Sequence, residues 1–243
     1  MAERTPDAGQ NSNSGAKKIV IAIDGPAGSG KSTLASLLAR KYNYINIETG
    51  AMYRALAYKA IQQDVPLDDE ARLGVLAQQS KIELVPRLEG NRVMLDGTDV
   101  TERLRNQETT DAASRVSVHP QVREWMVEHQ RAMGLGGGIV MEGRDIGTKV
   151  FPDAEVKIFL DAAPEIRGTR RFLEKPASAG QEASVVAELQ ARDQRDRTRA
   201  NSPLVAALDA VLIDSTYLTL DQVVARAIEL IDARLEKIAP ARM

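Results

Sequence analysis

The nine residues Gly25–Thr33 constrain the fold of this chain more than any other stretch. They read Gly-Pro-Ala-Gly-Ser-Gly-Lys-Ser-Thr, between an apolar β-branched segment and apolar residues at helical spacing. This is the pattern of a P-loop, whose backbone N–H groups surround phosphate oxygens. Lys31 would reach the β- and γ-phosphates, and the Ser32 hydroxyl would hold Mg²⁺. The sequence therefore predicts a nucleoside triphosphate site formed by Gly25, Pro26, Ala27, Gly28, Ser29, Gly30, Lys31, Ser32 and Thr33.

The composition narrows the kinds of partner that this chain can have. Its 243 residues carry a formal net charge of -2 and only 4% are aromatic, which does not indicate a nucleic-acid surface. There is no cysteine, which excludes disulfides and thiolate-bound metals. No apolar run is long enough to span a bilayer, and the first residues lack the apolar core of a signal peptide. We expect a cytoplasmic protein with no membrane or nucleic-acid partner, and Mg²⁺ carried with ATP as its metal.

Strand-like and helix-like segments alternate along most of the chain. Five apolar segments have the composition of buried strands: 18–24, 45–48, 139–142, 156–160 and 211–214. Apolar residues at helical spacing occupy most of the intervals between them and the region after the last one. Such alternation predicts an α/β fold, in which helices cover both faces of a parallel sheet. Ligands of such sheets bind beyond the carboxyl ends of the strands.

Two regions depart from this alternation. Residues 1–16 are almost free of apolar side chains, which predicts a disordered tail. Residues 64–104 contain three short alternating segments in series, which predict an antiparallel meander inserted into the fold. We therefore divide the chain into the tail, the insert, and a core made of residues 17–63 and 105–243.

Polar residues that follow the predicted strands are candidates for a second ligand. Thr49 and Arg54 follow the second strand; Arg54 could hold an acceptor phosphate, although an ordinary helix cap explains the pair as well. Gly143-Arg144-Asp145 follows the third core strand and could equally be a polar turn with a local ion pair. Asp214–Thr216 follows the last strand, where adenine could bind or where the strand simply ends.

The run Arg192–Arg199 contains four arginines among eight residues. On a helix, one face would carry Arg192, Arg195, Asp196 and Arg199. A solvated helix with ion pairs one turn apart explains such a run. The excess of arginine on one face would also suit a mobile arm that closes on phosphates during phosphoryl transfer.

The remaining polar candidates have no pattern of their own. Ser114 and Arg123 lie in helical segments, where a polar helix face explains them. His119 and His129 have no partner pattern, and we expect both at the surface. The chain also lacks the Asn-Lys-x-Asp sequence that would read guanine, which disfavours a GTPase switch.

Four motifs together resemble the bacterial cytidylate kinase family, and they come in that family's order. They are Ile23–Thr33, Glu48–Arg54, Glu142–Ala154 and Arg192–Arg199. The resemblance extends from about Ile19 to the C-terminal helix. It implies a P-loop nucleoside-monophosphate-kinase fold with a five-stranded parallel core, a CMP-binding insert matching 64–104 and an arginine-rich lid at about 168–199. It also implies an enzyme that transfers the γ-phosphate of ATP directly to CMP or dCMP, giving the diphosphate and ADP.

The resemblance also implies roles for residues outside the P-loop. The residues that match cytosine contacts are Ser114, Arg123 and Asp145. The matches that hold phosphate are Arg54, Arg144, Arg192 and Arg199, whereas Asp196 matches a ribose contact and Thr49 lies at the acceptor site. We expect four of the basic residues to be catalytic: Lys31, Arg144, Arg192 and Arg199.

Two positions depart from the family's pattern, and some alternatives stay open. The family commonly has Asp where this chain has Glu48, so Glu48 has no assigned role. Ser32 stands where the family often has Gly, which restores a hydroxyl for Mg²⁺. The rival hypotheses are a P-loop kinase of another small acceptor, such as UMP, AMP or shikimate, and a non-catalytic nucleotide-binding module. We expect a monomer.

Overall fold

A computed structural model describes residues 18–87, 90–174 and 182–238. The predicted tail, 1–16, lies outside the described residues. In chain order the elements are β1 (Val20–Asp24), α1 (Lys31–Tyr42), β2 (Ile45–Glu48), α2 (Thr49–Gln62), α3 (Glu70–Gln78), β3 (Ile82–Arg87), β4 (Gly90–Leu95), β5 (Thr98–Asp99), α4 (Gln107–Val116), α5 (Pro120–Gly134), β6 (Ile139–Gly143), β7 (Val156–Asp161), α6 (Pro164–Glu174), α7 (Glu182–Thr198), β8 (Val211–Asp214) and α8 (Leu220–Ile238). Short helical turns at Thr101–Arg105 and Ile146–Val150 follow β5 and β6.

The core is a parallel sheet with the strand order β2-β6-β1-β7-β8. The central strand β1 has side chains on both faces. Ile21 and Ile23 pack in a buried cluster with residues of α1 and α8, and Ala22 packs in another cluster that α5 partly covers. The predicted α/β fold, with a five-stranded parallel sheet between helices, is confirmed.

The P-loop follows β1 and passes very close to its neighbours. Gly25 has φ 150°, and a Cβ there would overlap the carbonyl oxygen of Leu160 at the end of β7. Gly28 has φ 76°, and its Cβ would lie 3.0 Å from the carbonyl oxygen of Arg167 in α6. Only glycine combines these backbone conformations with so little space. The loop then enters α1 at Lys31, so the N-terminus of that helix points to the same place as the loop N–H groups.

A second, antiparallel sheet with the order β3-β4-β5 lies within the predicted insert. It shares a buried apolar cluster with α2, α3, α4 and α5. The Lys59 ammonium of α2 lies 2.9 Å from the Ser80 hydroxyl and 2.7 Å from the Asp96 carboxylate, so this sheet is tied to the core by a buried cation. The domain boundaries and the binding of CMP by this region stay predictions.

Helices α6 and α7 pack against each other in the region predicted as a lid; residues 175–181 of that region lie outside the described part. A buried ion pair lies at the base of this helix pair. Arg167 and Asp193 are 2.5 Å apart, the Arg167 guanidinium donates to the Ala27 carbonyl at 2.9 Å, and the Ala27 N–H donates to Asp193 at 3.4 Å. The base of the two helices is therefore fixed to the P-loop.

The structure also bears on the two histidines and on the expected lack of a membrane-spanning segment. Both histidines are partly exposed, and each has a partner that the sequence did not indicate. His119 lies 2.9 Å from the Leu67 carbonyl oxygen, and the His129 ring stacks on Trp125 at 3.8 Å between centroids. In the described ranges, no helix combines the length and apolar character needed to cross a membrane.

Candidate active site

A cavity of about 920 Å³ opens at the carboxyl edge of the parallel sheet. The P-loop forms one wall, and the other walls come from the start of α2, from α4 and α5, from the residues after β6 and from α7. The predicted site residues that line it are Ala27, Gly28, Gly30, Lys31, Ser32, Thr33, Thr49, Arg54, Arg123, Arg144, Asp145, Arg192, Asp196 and Arg199. The predicted residues that do not line it are Gly25, Pro26, Ser29 and Ser114. Residues from distant parts of the chain thus meet in one space.

Lys31 is the cation of the P-loop side of this cavity. Its ammonium is buried and donates to the Pro26 carbonyl at 2.6 Å, with the Ser29 hydroxyl at 3.4 Å. Burial and the positive charge of Arg144 lower the pKa of Lys31 to about 7, against the attraction of Glu142. Its protein neighbours therefore compensate the positive charge of the ammonium poorly, and a phosphate beside it would raise the pKa of Lys31 again.

Glu142 is a cavity residue to which the sequence analysis gave no role. It lies at the carboxyl end of β6, beside Glu48 of β2 in the strand register, and it is buried. Burial and the charge of Glu48 raise the pKa of Glu142, whereas Lys31 and a hydrogen bond from the Ser32 hydroxyl lower it. Its Oε1 atom has no hydrogen-bond partner. A buried carboxylate oxygen without a donor is unfavourable and points to a ligand at this place.

The side of the cavity opposite the P-loop motif, formed by α2, α5 and the loop after β6, carries two ion pairs. Arg54 is held 2.5 Å from the Glu48 carboxylate, and both side chains are partly exposed to the cavity. Arg123 donates to Asp145, and both of these side chains are buried. The Arg123 guanidinium also lies over the ring of Tyr53 at 5.7 Å. Tyr53 lines the cavity as well, and no sequence signal singled it out.

Arg192 of α7 and Arg199, which directly follows α7, lie near the loop after β6. The Arg144 guanidinium donates to Asp196 at 3.0 Å, and Arg199 lies 3.5 Å from the same carboxylate. The Arg192 Nε atom is buried and has no hydrogen-bond partner. Burial and the positive charge of Arg144 lower the pKa of Arg192 to about 10. Positive charge in this cluster therefore exceeds the carboxylates available to it, as in a site for phosphate groups.

Two predicted contacts lie elsewhere. The buried Ser114 hydroxyl accepts a hydrogen bond from Arg195 Nε at 3.3 Å, so it faces α7 instead of the cavity. Asp214 accepts from the Thr216 hydroxyl at 2.5 Å, and neither residue lines the cavity. Their suggested roles toward cytosine and adenine stay predictions.

The arrangement suits the transfer of a phosphoryl group. A phosphate-binding loop faces a cluster of guanidinium groups across one water-accessible space, and such reactions depend mainly on positioning and charge stabilisation. Within 18–87, 90–174 and 182–238, no group of three or more His, Cys, Asp or Glu side chains could hold a metal by itself.

The comparisons with known proteins agree with this chemistry. Residues 21–233 match the family model described as cytidylate kinase. A cytidylate kinase from Geobacillus thermodenitrificans (strain NG80-2) is 48% identical over 221 residues, which cover 90% of this chain and 99% of that protein. A cytidylate kinase from Pelotomaculum thermopropionicum (strain DSM 13744 / JCM 10971 / SI) is 52% identical over 208 residues, 84% of this chain and 92% of that protein. A cytidylate kinase from Bacillus subtilis (strain 168) is 46% identical over 220 residues, 90% of this chain and 98% of that protein.

Proposed function

The chain belongs to the cytidylate kinase family, and on this premise we propose that its cavity transfers the γ-phosphate of ATP to CMP or dCMP. The observation that carries the proposal is the meeting of a P-loop with the arginine cluster Arg54, Arg144, Arg192 and Arg199 in one cavity. A non-catalytic nucleotide-binding module has no use for a cluster of cations beyond the donor loop.

The donor is held by the P-loop in this proposal. The backbone N–H groups of the loop and the N-terminus of α1 surround the β-phosphate, and Lys31 bridges the β- and γ-phosphates. The Ala27 N–H is the exception, because Asp193 already accepts from it. Lys31 offsets the charge that builds up on the oxygen between these phosphates as its bond to the γ-phosphorus breaks.

The residues beside the P-loop suit a magnesium ion that arrives with ATP. Ser32 offers a hydroxyl, and the Glu142 Oε1 atom is buried without a partner, so a hard cation and its water would satisfy both. When bound, Mg²⁺ offsets the charge of the phosphate oxygens. Glu142 would then hold a water of the ion in position, and Ser32 would stop donating to Glu142.

On the acceptor side, Arg54 holds the phosphate of CMP, and Arg123 with Asp145 faces the base. An acceptor-phosphate oxygen attacks the γ-phosphorus, the bond from that phosphorus to the β–γ bridging oxygen breaks, and ADP leaves with the electron pair. No general base is needed, because the second ionisation of a phosphate monoester is near pH 6. Arg144, Arg192 and Arg199 stabilise the equatorial oxygens, and closure of α6 and α7 excludes water.

The test is ADP formation from ATP and Mg²⁺ with CMP, dCMP, UMP, AMP and GMP offered separately. We expect fast turnover with CMP and dCMP, slow turnover with the others, and little ADP without an acceptor. Preference for another acceptor would show that the cytosine assignment is wrong, and acceptor-independent hydrolysis alone would rule out the kinase proposal.

ATP binding is expected to take up protons through Lys31. Because burial and Arg144 lower the pKa of Lys31 to about 7, its amine is incompletely protonated at and above neutral pH. The phosphates raise that pKa again, so binding should take up roughly half a proton at pH 7 and close to one at pH 8. Titration calorimetry in buffers of different ionisation enthalpy measures the number. Lys31→Met should remove the uptake, and an unchanged number in that variant would contradict the assignment.

Glu142→Gln is expected to weaken binding of the divalent ion by about tenfold in the presence of a non-hydrolysable ATP analogue. The amide keeps the volume of the side chain but loses the charge that holds the water of the ion. Electron paramagnetic resonance with Mn²⁺ measures the affinity directly. Glu229→Gln, at an exposed position of α8, is the matched control. Equal affinities for the two variants would exclude Glu142 from the metal site.

We also propose that the protein is a cytoplasmic monomer. The lack of cysteine in the chain agrees with a reducing compartment. Light scattering coupled to size-exclusion chromatography gives the mass in solution, and fractionation of the source cells gives the compartment.

A further inference from the structure

Asp24 is a buried carboxylate that the proposed reaction does not use. It is the last residue of β1, directly before Gly25, and it does not line the cavity. Its two oxygens accept hydrogen bonds from two consecutive backbone N–H groups, from Ile146 at 2.8 Å and from Gly147 at 2.7 Å. Both carboxylate oxygens of Asp24 are therefore hydrogen-bonded to the backbone of the loop after β6.

The two residues bound by Asp24, Ile146 and Gly147, directly follow Asp145. The carbonyl of Asp145 accepts from the N–H groups of Lys149 and Val150, at 2.8 and 3.2 Å. The helical turn Ile146–Val150 is thus fixed at its start by Asp24 and closed on itself by these bonds. With the following peptide units held in this way, the direction of the Asp145 side chain is set toward Arg123 and Arg199.

The charge of Asp24 is unfavourable for the fold. Burial raises the pKa of Asp24 to about 6, and the nearby charge of Asp145 adds to this, whereas the two N–H groups and Lys31 act in the opposite direction. At neutral pH the folded protein thus keeps an ionised carboxylate that it would hold more easily as a neutral group. An ionised carboxylate offers two acceptor oxygens, so at this position it can accept from both N–H groups at once.

We propose that Asp24 is a positioning residue for the acceptor base: by holding the N–H groups of Ile146 and Gly147, it orients Asp145 and thereby sets the preference for cytosine over uracil. The role rests on the proposed function. Asp24 lies beside Gly143 in the register of β1 and β6, so one side chain joins the start of the donor loop to the loop that carries Asp145. The proposed donor and acceptor sites are then fixed in position relative to each other.

Asp24→Asn tests the role with little change of volume. The amide offers one acceptor oxygen, and its NH₂ group faces the second N–H, so one of the two bonds is lost. We expect KM for CMP to rise about tenfold and the preference for CMP over UMP, as the ratio of kcat/KM values, to fall by a similar factor. KM for ATP and kcat at saturating CMP should change by less than about threefold.

A purely structural role predicts a different outcome. It would lower the melting temperature and the amount of active enzyme, without changing the CMP-to-UMP ratio. Because the neutral amide avoids burying a charge, we expect the melting temperature of Asp24→Asn to equal or exceed that of the parent protein. Asp209→Asn is the control, since it removes the negative charge that pairs with the buried Lys157 outside the cavity. It should lower the melting temperature and leave the ratio unchanged.

A second variant, at Gly147, disturbs the hydrogen bond between Asp24 and the Gly147 N–H without changing Asp24. A Cβ on Gly147 would lie 3.4 Å from an Asp24 oxygen and 3.2 Å from the Lys157 side chain. Gly147→Ala should lower the ratio in the same direction but less, and it decides the matter if Asp24→Asn does not fold. An unchanged CMP-to-UMP ratio in the folded variants overturns the role of Asp24. A parent protein that does not phosphorylate CMP would overturn the proposed function instead.

Discussion

Replacing Lys31 with methionine is expected to lower kcat about a thousandfold, with KM for CMP changed by less than about threefold. Methionine has a similar length but no charge. The loss falls on kcat because the charge on the oxygen between the β- and γ-phosphates grows as that bond breaks, and Lys31 is placed to offset it. Steady-state kinetics with varied CMP at saturating ATP measure both constants, and varied ATP at saturating CMP gives KM for ATP.

Lys41→Met is the matched control, because Lys41 is an exposed lysine of the same helix. It should leave both constants near those of the parent protein. If Lys31→Met instead raised KM for ATP with kcat intact, Lys31 would be a ground-state binding residue, and the proposed mechanism would lose its main donor-side cation.

Replacing Arg192 with alanine is expected to lower kcat about a hundredfold or more, with a much smaller effect on CMP affinity. Arg192 is partly buried beside the positive charge of Arg144, and its Nε atom is buried with no hydrogen-bond partner. Its guanidinium is therefore available to the phosphoryl group during transfer. Rapid-quench single turnovers separate the chemical step from product release, and we expect the chemical step to slow.

Arg197→Ala is the control for this variant, since Arg197 lies on α7 and is 46% exposed. It removes the same side chain from the same helix outside the cavity, so kcat should be preserved. An equal loss in both variants would mean that alanine at either position disturbs α7 itself. An unchanged single-turnover rate for Arg192→Ala would remove Arg192 from the catalytic group.

Sequence patterns predicted the fold well, because each strand and helix has a local signal. The strands of the parallel sheet are mostly apolar, and the P-loop motif marks the strand that it follows. The partners of β1 were beyond such reasoning. Its neighbours β6 and β7 lie far along the chain, and no local pattern states which strands pair.

The site was predicted less completely, for physical reasons that differ between residues. Glu142 and Asp24 end buried strands, so the rule that ligands bind beyond strand ends pointed to their neighbourhood but not to their side chains. Whether a carboxylate meets a hydroxyl, a backbone N–H or nothing depends on tertiary packing. Ser114 shows the reverse case: its helix is near the cavity, but its hydroxyl is turned toward Arg195.

The strand order also sets the sequence of events while the chain is being synthesised. The strand that ends at the P-loop has hydrogen-bonded neighbours only at Ile139–Gly143 and Val156–Asp161 among the described residues. Its pairing must wait until more than one hundred further residues have left the ribosome, which takes on the order of ten seconds. The meander β3-β4-β5 finds all its partners within a short stretch and can form long before. A nascent chain therefore acquires its phosphate loop late, so it cannot bind nucleotide until most of the enzyme has been made.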